Sequence, residues 1–179
     1  MISEKPIKGM MTLNNIGSEQ EKELILKALY EVKDPEISSI SIVDLGMMES
    51  TEVVGNTVKV QLVPTFLGCP ALDIIRQNTE NAIKAAVPSY KVQVEFIHHI
   101  PWTSDRISEE GRERLKEFGI APPPRKLPET GIWEVDCPYC GSPYTTLENL
   151  FGPAACRSIL YCKSCRNPFE AMKPLFTNI

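Results

Sequence analysis

The chain has 179 residues, of which 42% are hydrophobic, and a formal net charge of −4. That length suits one ordinary domain plus a small one, and no stretch approaches the roughly 18 apolar residues that a membrane span needs. Residues 1–100 carry 9 Lys/Arg against 13 Asp/Glu, residues 101–128 carry 6 against 5 and residues 129–179 carry 4 against 5, so no segment gathers the positive charge that neutralises phosphates. Neither a membrane nor a nucleic acid is therefore expected as partner.

The N-terminal stretch Met1–Lys8 has mixed charge and no apolar run before a small-residue cleavage site, which predicts a cytoplasmic, reducing location. Six cysteines in that setting read as metal ligands and free thiols, not as a disulfide framework.

Residues 1–17 show no sustained period and are expected to form a mobile arm. Ser18 with Glu21 makes a capping box for a helix whose apolar stripe is Leu24, Ile25, Ala28, Leu29 and Val32. It should stop at Asp34-Pro35, because the residue before proline is pushed out of the α region. Two β-like runs follow, Met47 to Val54 and Thr57 to Val63, and Gly55-Asn56 between them is a hairpin signal. A helix is predicted after Cys69-Pro70, with Ala71, Ile74, Ile75, Ala82, Ala86 and Val87 on its apolar face and Pro88 as its stop. Lys91 to Ile97 alternates as a strand. Ser108 caps a third predicted helix, Glu109 to Phe118, which Gly119 ends.

The order α-β-β-α-β predicts an α+β fold: a small sandwich domain over residues 18–100, with helices covering one face of a short sheet. Residues 101–128 read as a helix and a proline-rich extended linker crossed by few contacts. Residues 129–179 read as a zinc-ribbon-like domain.

Two CxxC pairs carry that last reading. Cys137/Cys140 and Cys162/Cys165 can each turn two thiolates toward one ion and together complete a tetrahedral S4 site. The 21 residues between Cys140 and Cys162 slightly exceed the usual ribbon spacing of about 15–20. A unit of this size buries too little apolar surface to stand securely alone, so a structural zinc suits it, and the same thiolates would also hold iron. Cys156 is a fifth cysteine nearby and an alternate ligand to weigh against a plain buried thiol.

Cys69 is the candidate functional thiol of the first domain. Next to a helix start, its pKa should be lowered by the free N–H groups there; the competing reading is a small residue packed in a turn. Asp34, Glu36, Asp44 and Asp73 are candidate supporting carboxylates. His98 and His99 are adjacent, so they should face opposite ways and not share a metal.

Several motifs then form a recognisable set. Asp34-Pro-Glu-Ile37, Ile42-Val-Asp-Leu-Gly46, Pro64-Thr-Phe-Leu-Gly-Cys-Pro70 and Asp73-Ile-Ile-Arg-Gln77 resemble the SufT-like domain associated with iron–sulfur cluster assembly. Pro101-Trp-Thr-Ser-Asp105, Phe118-Gly-Ile-Ala-Pro-Pro123, Cys137-Pro-Tyr-Cys-Gly-Ser142, Phe151-Gly152 with Cys156, and Cys162-Lys-Ser-Cys-Arg-Asn-Pro-Phe169 resemble the PaaD family. The resemblance implies a non-catalytic accessory role in aerobic phenylacetate degradation, with a transient iron–sulfur cluster matured or delivered for a client. The implied partners are the reductase or another component of phenylacetyl-CoA epoxidase and the iron–sulfur assembly machinery. Cys69 matches the family's Gly-Cys-Pro cysteine. Two other classes stand beside this reading: a thiol enzyme using Cys69 with His98 or His99 as base, and a nucleic-acid-binding ribbon, which the charge disfavours.

Overall fold

The computed structural model describes residues 12–14, 18–125 and 133–176. Helix α1, Glu19–Glu31, opens on the capping box, with the Ser18 hydroxyl accepting the Glu21 N–H and the Glu21 carboxylate accepting the Ser18 N–H. Its buried stripe is Ile25, Leu29 and Val32. Leu24, expected on that stripe, is exposed, because it lies at the edge of the arc that meets the sheet. Beyond the helix the Asp34 carboxylate accepts the N–H groups of Glu36 and Ile37, at 2.8 and 3.0 Å. This short turn returns the chain into the core, where Ile40, Ile42, Leu45 and Met47 are all buried.

The first sheet has the order β1-β2-β3-β4, with β1 at Thr12–Asn14, β2 at Met48–Val54, β3 at Thr57–Leu62 and β4 at Lys91–Phe96. The β2–β3 hairpin turns at Gly55 (φ +60°) and Asn56, where the sequence puts it. Val58, Val60 and Leu62 face the core while the alternate residues of β3 face out. β4 runs parallel to β3 after the crossover helix α2, Leu72–Ala86. The expected mobile arm is corrected at Thr12–Asn14, which pairs in parallel with Ser50–Glu52; the rest of residues 1–17 lies outside the described residues. On α2 the buried positions are Ile75, Thr79 and Ile83, and Ile74 is exposed. Thr79 was hidden from an apolar-only pattern, since its hydroxyl is satisfied inside the helix by donating to the Ile75 carbonyl at 2.7 Å.

Residues 101–125 are not a loose connection. Trp102 is buried and its indole N–H donates to the Leu45 carbonyl at 2.8 Å. Arg106 donates to the carbonyls of Gly46 and Met48 and pairs with Glu49 at 2.9 Å. Gly46 has φ +70°, and a Cβ there would stand 2.4 Å from the Arg106 carbonyl oxygen, so both conformation and space require glycine. Helix α3, Glu109–Glu117, carries the Ser108 cap and buries Leu115 in the first core. β5, Ile120–Ala121, then joins the second sheet. The expectation of few contacts across 101–128 thus fails for its described part, because the segment carries its own apolar anchors, Trp102, Ile107, Leu115 and Ile120. Residues 126–132 lie outside the described residues.

The second sheet has the order β5-β8-β7-β6, with β6 at Thr145–Asn149, β7 at Arg157–Cys162 and β8 at Pro168–Met172. Leu160, Phe169 and Ala171 form its small core with Cys137 and Cys162. Met172, at the end of β8, packs instead into the first core. The described residues form an α+β fold of three α-helices, one 3-10 turn at Ser104–Arg106 and two sheets.

Candidate functional site

Two alike turns build the sulfur cage. In the first, the Cys137 carbonyl accepts the Gly141 N–H at 2.9 Å; in the second, the Cys162 carbonyl accepts the Arg166 N–H at 2.9 Å. Both turns close on a left-handed residue, Gly141 at φ +68° and Arg166 at φ +60°. Glycine takes that conformation freely, whereas arginine does so at roughly 1–2 kcal/mol. Cys137 Sγ lies 3.7 Å from Cys165 Sγ, Cys140 Sγ lies 3.6 Å from Cys162 Sγ, and all four sulfurs fall within 4.8 Å of one another. A tetrahedral ion with metal–sulfur bonds of about 2.3 Å needs sulfur edges of about 3.8 Å, so the donor set suits such an ion with at most a small contraction.

The two turns treat their first sulfurs differently. Backbone N–H groups of Cys165 and Ser164 aim at the Cys162 sulfur and hold its pKa to about 6, while burial pushes Cys137 up to about 12. Four thiolates at these separations repel one another, and a cation at their centre removes the conflict. Of the ribbon's aromatics, Phe169 is buried, whereas Tyr139 is exposed with its ring against Gly119.

Cys156 is not among the cage sulfurs. It precedes β7 while Cys162 ends it, and six residues of extended strand separate them by about 20 Å. Cys156 instead sits where the two sheets' units meet. Its neighbour Arg157 pairs with Glu36 at 3.3 Å and Glu170 at 2.6 Å, and the Cys156 carbonyl accepts the Lys173 N–H at 2.8 Å. The Lys173 ammonium stands over the rings of Phe66 and Phe151, at 5.9 and 5.4 Å. Burial pushes the Cys156 thiol up to about 11, opposed by Arg157 and helped by Asp34, Cys69 and Glu36.

Cys69 is half-buried against the first core, in the loop before α2. The expectation of a lowered pKa is corrected: burial raises it, the Ala71 N–H lowers it, and Glu36 and Asp34 raise it further. The helix starts at Leu72, with Ala71 as N-cap, so Cys69 stands too far back for more than one N–H to reach its sulfur. Cys69 lines an open cleft of about 460 Å³ with Asp73, Arg76, Glu95 and His98. The Asp34 and Glu36 carboxylates act on its thiol through space, opposing its ionisation.

The four carboxylates therefore part company, with Glu36 paired to Arg157 at 3.3 Å. Asp34 belongs to the Cys69 surroundings, with its own pKa raised chiefly by burial. Asp73 shares the open cleft and pairs with Arg76 at 2.7 Å. Asp44 is an anchor elsewhere, accepting the Ser41 and Ser108 hydroxyls at 2.7 and 2.9 Å. Arg157 and Lys173 were missed by sequence reasoning. Nothing in the spacing of Arg157 or Lys173 announces that they reach the first unit.

Comparison with known proteins follows the same two units. Residues 22–96 match the model of the iron–sulfur cluster assembly protein family, and residues 121–173 match that of the PaaD zinc beta ribbon domain. The chain is 37% identical, over 92% of its length and 99% of the relative's, to an Escherichia coli (strain K12) protein provisionally named as one of the subunits of 1,2-phenylacetyl-CoA epoxidase. It is 33% identical, over 44% of its length, to 22% of an iron–sulfur cluster carrier protein of Synechocystis sp.. Among solved structures, a domain of unknown function DUF59 from Bacillus anthracis matches with TM-score 0.49 and 26% identity, covering 54% of this chain and 91% of that one.

Proposed function

We propose, from the premise that the chain belongs to the PaaD family of phenylacetyl-CoA epoxidase subunits, that it is a cytoplasmic accessory protein which assembles or delivers an iron–sulfur cluster to the reductase component of that epoxidase. The observation that supports this best is the setting of Cys69: a half-buried thiol at the rim of an open cleft, with the Asp34 and Glu36 carboxylates opposing its ionisation. A soft thiolate with hard carboxylate neighbours suits iron that must be held and then released. The cage thiolates serve a different end. Zinc held by Cys137, Cys140, Cys162 and Cys165 would staple the ribbon, and the match to a zinc ribbon family favours zinc over iron there.

His98 lines the same cleft as Cys69, which is the one observation favouring a thiol enzyme. The raised pKa of Cys69 points the other way, since a nucleophilic cysteine needs its thiolate near neutral pH. The deciding experiment is a Cys69→Ala strain grown on phenylacetate. Cluster content of the purified reductase should fall and growth should slow, while epoxidase assembled with preloaded reductase should turn over without this protein. Normal reductase cluster content in that strain would refute the reading.

A further inference from the structure

Two exposed aromatic residues, one from each unit, share a single cation. The Lys173 ammonium stands 5.9 Å from the Phe66 ring centre and 5.4 Å from that of Phe151, so the loop that leads to Cys69 and the loop before β7 meet around it. That ammonium donates to the Ala155 carbonyl at 2.8 Å, and among the described residues it pairs with no carboxylate. Leu67 is 71% exposed and Phe151 is 76% exposed, which leaves an apolar rim around the charge. Neither loop is loose. The Phe66 carbonyl accepts the Cys69 N–H at 3.2 Å, the Asn149 side chain accepts the Phe151 N–H at 2.9 Å, and the Gly152 N–H donates to the Arg157 carbonyl at 2.9 Å. Large apolar side chains held outward on fastened turns mark a surface that a partner covers, because a lone molecule gains nothing by displaying them.

We propose that Phe66, Leu67, Phe151 and Lys173 form the docking face for the client protein, which meets it with a carboxylate ringed by apolar side chains. This deepens the proposed function and rests on it, since it takes from there that the chain serves a client. The lone cation selects the chemistry. Covering Lys173 with apolar groups alone would strip water from the ammonium and put nothing in its place, whereas a carboxylate at the centre satisfies it while the rings keep solvent out. A second copy of this chain does not fit, because a two-fold interface centred on the patch sets Lys173 against Lys173. An anionic bilayer does not fit either, since a surface held on acidic lipid needs several cations and the chain carries a net charge of −4. Position gives the docking its use: Cys69 lies in the same hydrogen-bonded turn as Phe66, so a client seated on the patch reaches the rim of the Cys69 cleft. The ribbon, through Phe151 and Lys173, thereby takes a direct part in recognition.

The test uses the full chain with its ribbon loaded with zinc, titrated calorimetrically into the purified reductase component of the epoxidase lacking its cluster. Wild type is compared with Phe151→Ala, Leu67→Ala, Lys173→Met and Lys173→Glu, and with Leu24→Ala, an exposed apolar position on α1 outside the patch. Zinc content and melting temperature should stay close to wild type throughout, which separates lost docking from lost fold. Phe151→Ala and Lys173→Met should each weaken binding at least about tenfold, Lys173→Glu should weaken it further, and Leu24→Ala should bind as wild type does. Lys173→Met keeps the apolar stem, so its loss reads the charge itself. An equal loss in Leu24→Ala, or none in Lys173→Met, would overturn the proposal. If every patch variant binds like wild type, the docking face falls while the Cys69 reading stands on its own strain experiment. If wild type does not bind the reductase, whether it self-associates, takes up anionic vesicles or does neither, the docking face and the reductase as client fall together. Patch-dependent binding with normal reductase cluster content in the Cys69→Ala strain would keep the docking face and refute the role of the thiol.

Discussion

Ser108 donates its hydroxyl to Asp44 Oδ1 at 2.9 Å and, through the same oxygen, accepts the Gly111 N–H at 2.9 Å, so one serine both caps α3 and fixes it to the loop before β2. Asp44 is buried and holds the Ser41 hydroxyl as well. Removing the carboxylate in Asp44→Ala leaves two hydroxyls without their acceptor, which should cost roughly 2–3 kcal/mol. Urea denaturation would show this as a lower midpoint at unchanged slope, with the zinc content of the ribbon unaltered. An unchanged midpoint would mean that water replaces the carboxylate and that the α3 anchor lies elsewhere.

The two units should stay together after the chain between them is cut. β5 is bonded to β8, Met172 packs in the first core, and Arg157 joins Glu36 to Glu170 with its side chain 9% exposed. Cleavage beside Arg125 should therefore give two bands on a denaturing gel and one peak by size exclusion. Arg157→Met should let the halves part, because it leaves two carboxylates without their cation at the junction. Release of a fragment of about 13 kDa from the cut wild type would show that these contacts are too weak to join the units.

Metal in the ribbon should be zinc, one per chain, and its removal by a chelator should melt the second sheet before the first. Apparent binding worth roughly 10–16 kcal/mol exceeds what the small Leu160–Phe169 core supplies. Cys140→Ser should lose the metal and the ribbon's melting step, while Cys156→Ser keeps both. Retention of full zinc in Cys140→Ser, measured by elemental analysis, would overturn the ligand set.

Local signals were readable where chemistry is local. The capping box, the Gly55-Asn56 turn and the CxxC spacing each place their own atoms, and the structure has all three where the sequence puts them. Burial is a property of the assembled molecule, which is why Leu24 and Ile74 fit a helical period and yet face out. The pKa of Cys69 misleads for the same reason: the helix start was legible, but the burial and the two carboxylates that outweigh it come from distant segments. The meeting of the ribbon with the first unit depends on the contacts of Arg157 with Glu36 and of Lys173 with Phe66, and no spacing rule reaches across those.

Asp34 should be a residue the fold carries at a cost. Burial lifts its carboxyl above the ordinary 3.8, partly offset by the Glu36 and Ile37 N–H groups. Because the folded value is the higher one, its contribution to stability is complete below pH 3.8 and is lost as pH rises through the folded value. At neutral pH the group is ionised in a place that disfavours the charge. Asp34→Asn keeps the Oδ1 acceptor for both N–H groups and removes that charge, so it should equal or exceed the wild type in stability at pH 7, by about 0.5–1 kcal/mol. The gain should vanish when melting is repeated below pH 3.8. Iron held at the Cys69 side should weaken in the same variant, as expected where stability is given up for a functional carboxylate. A clear loss of stability at pH 7 in Asp34→Asn would instead make the carboxylate a structural anchor of the Arg157 junction, leaving Cys69 without its hard ligand.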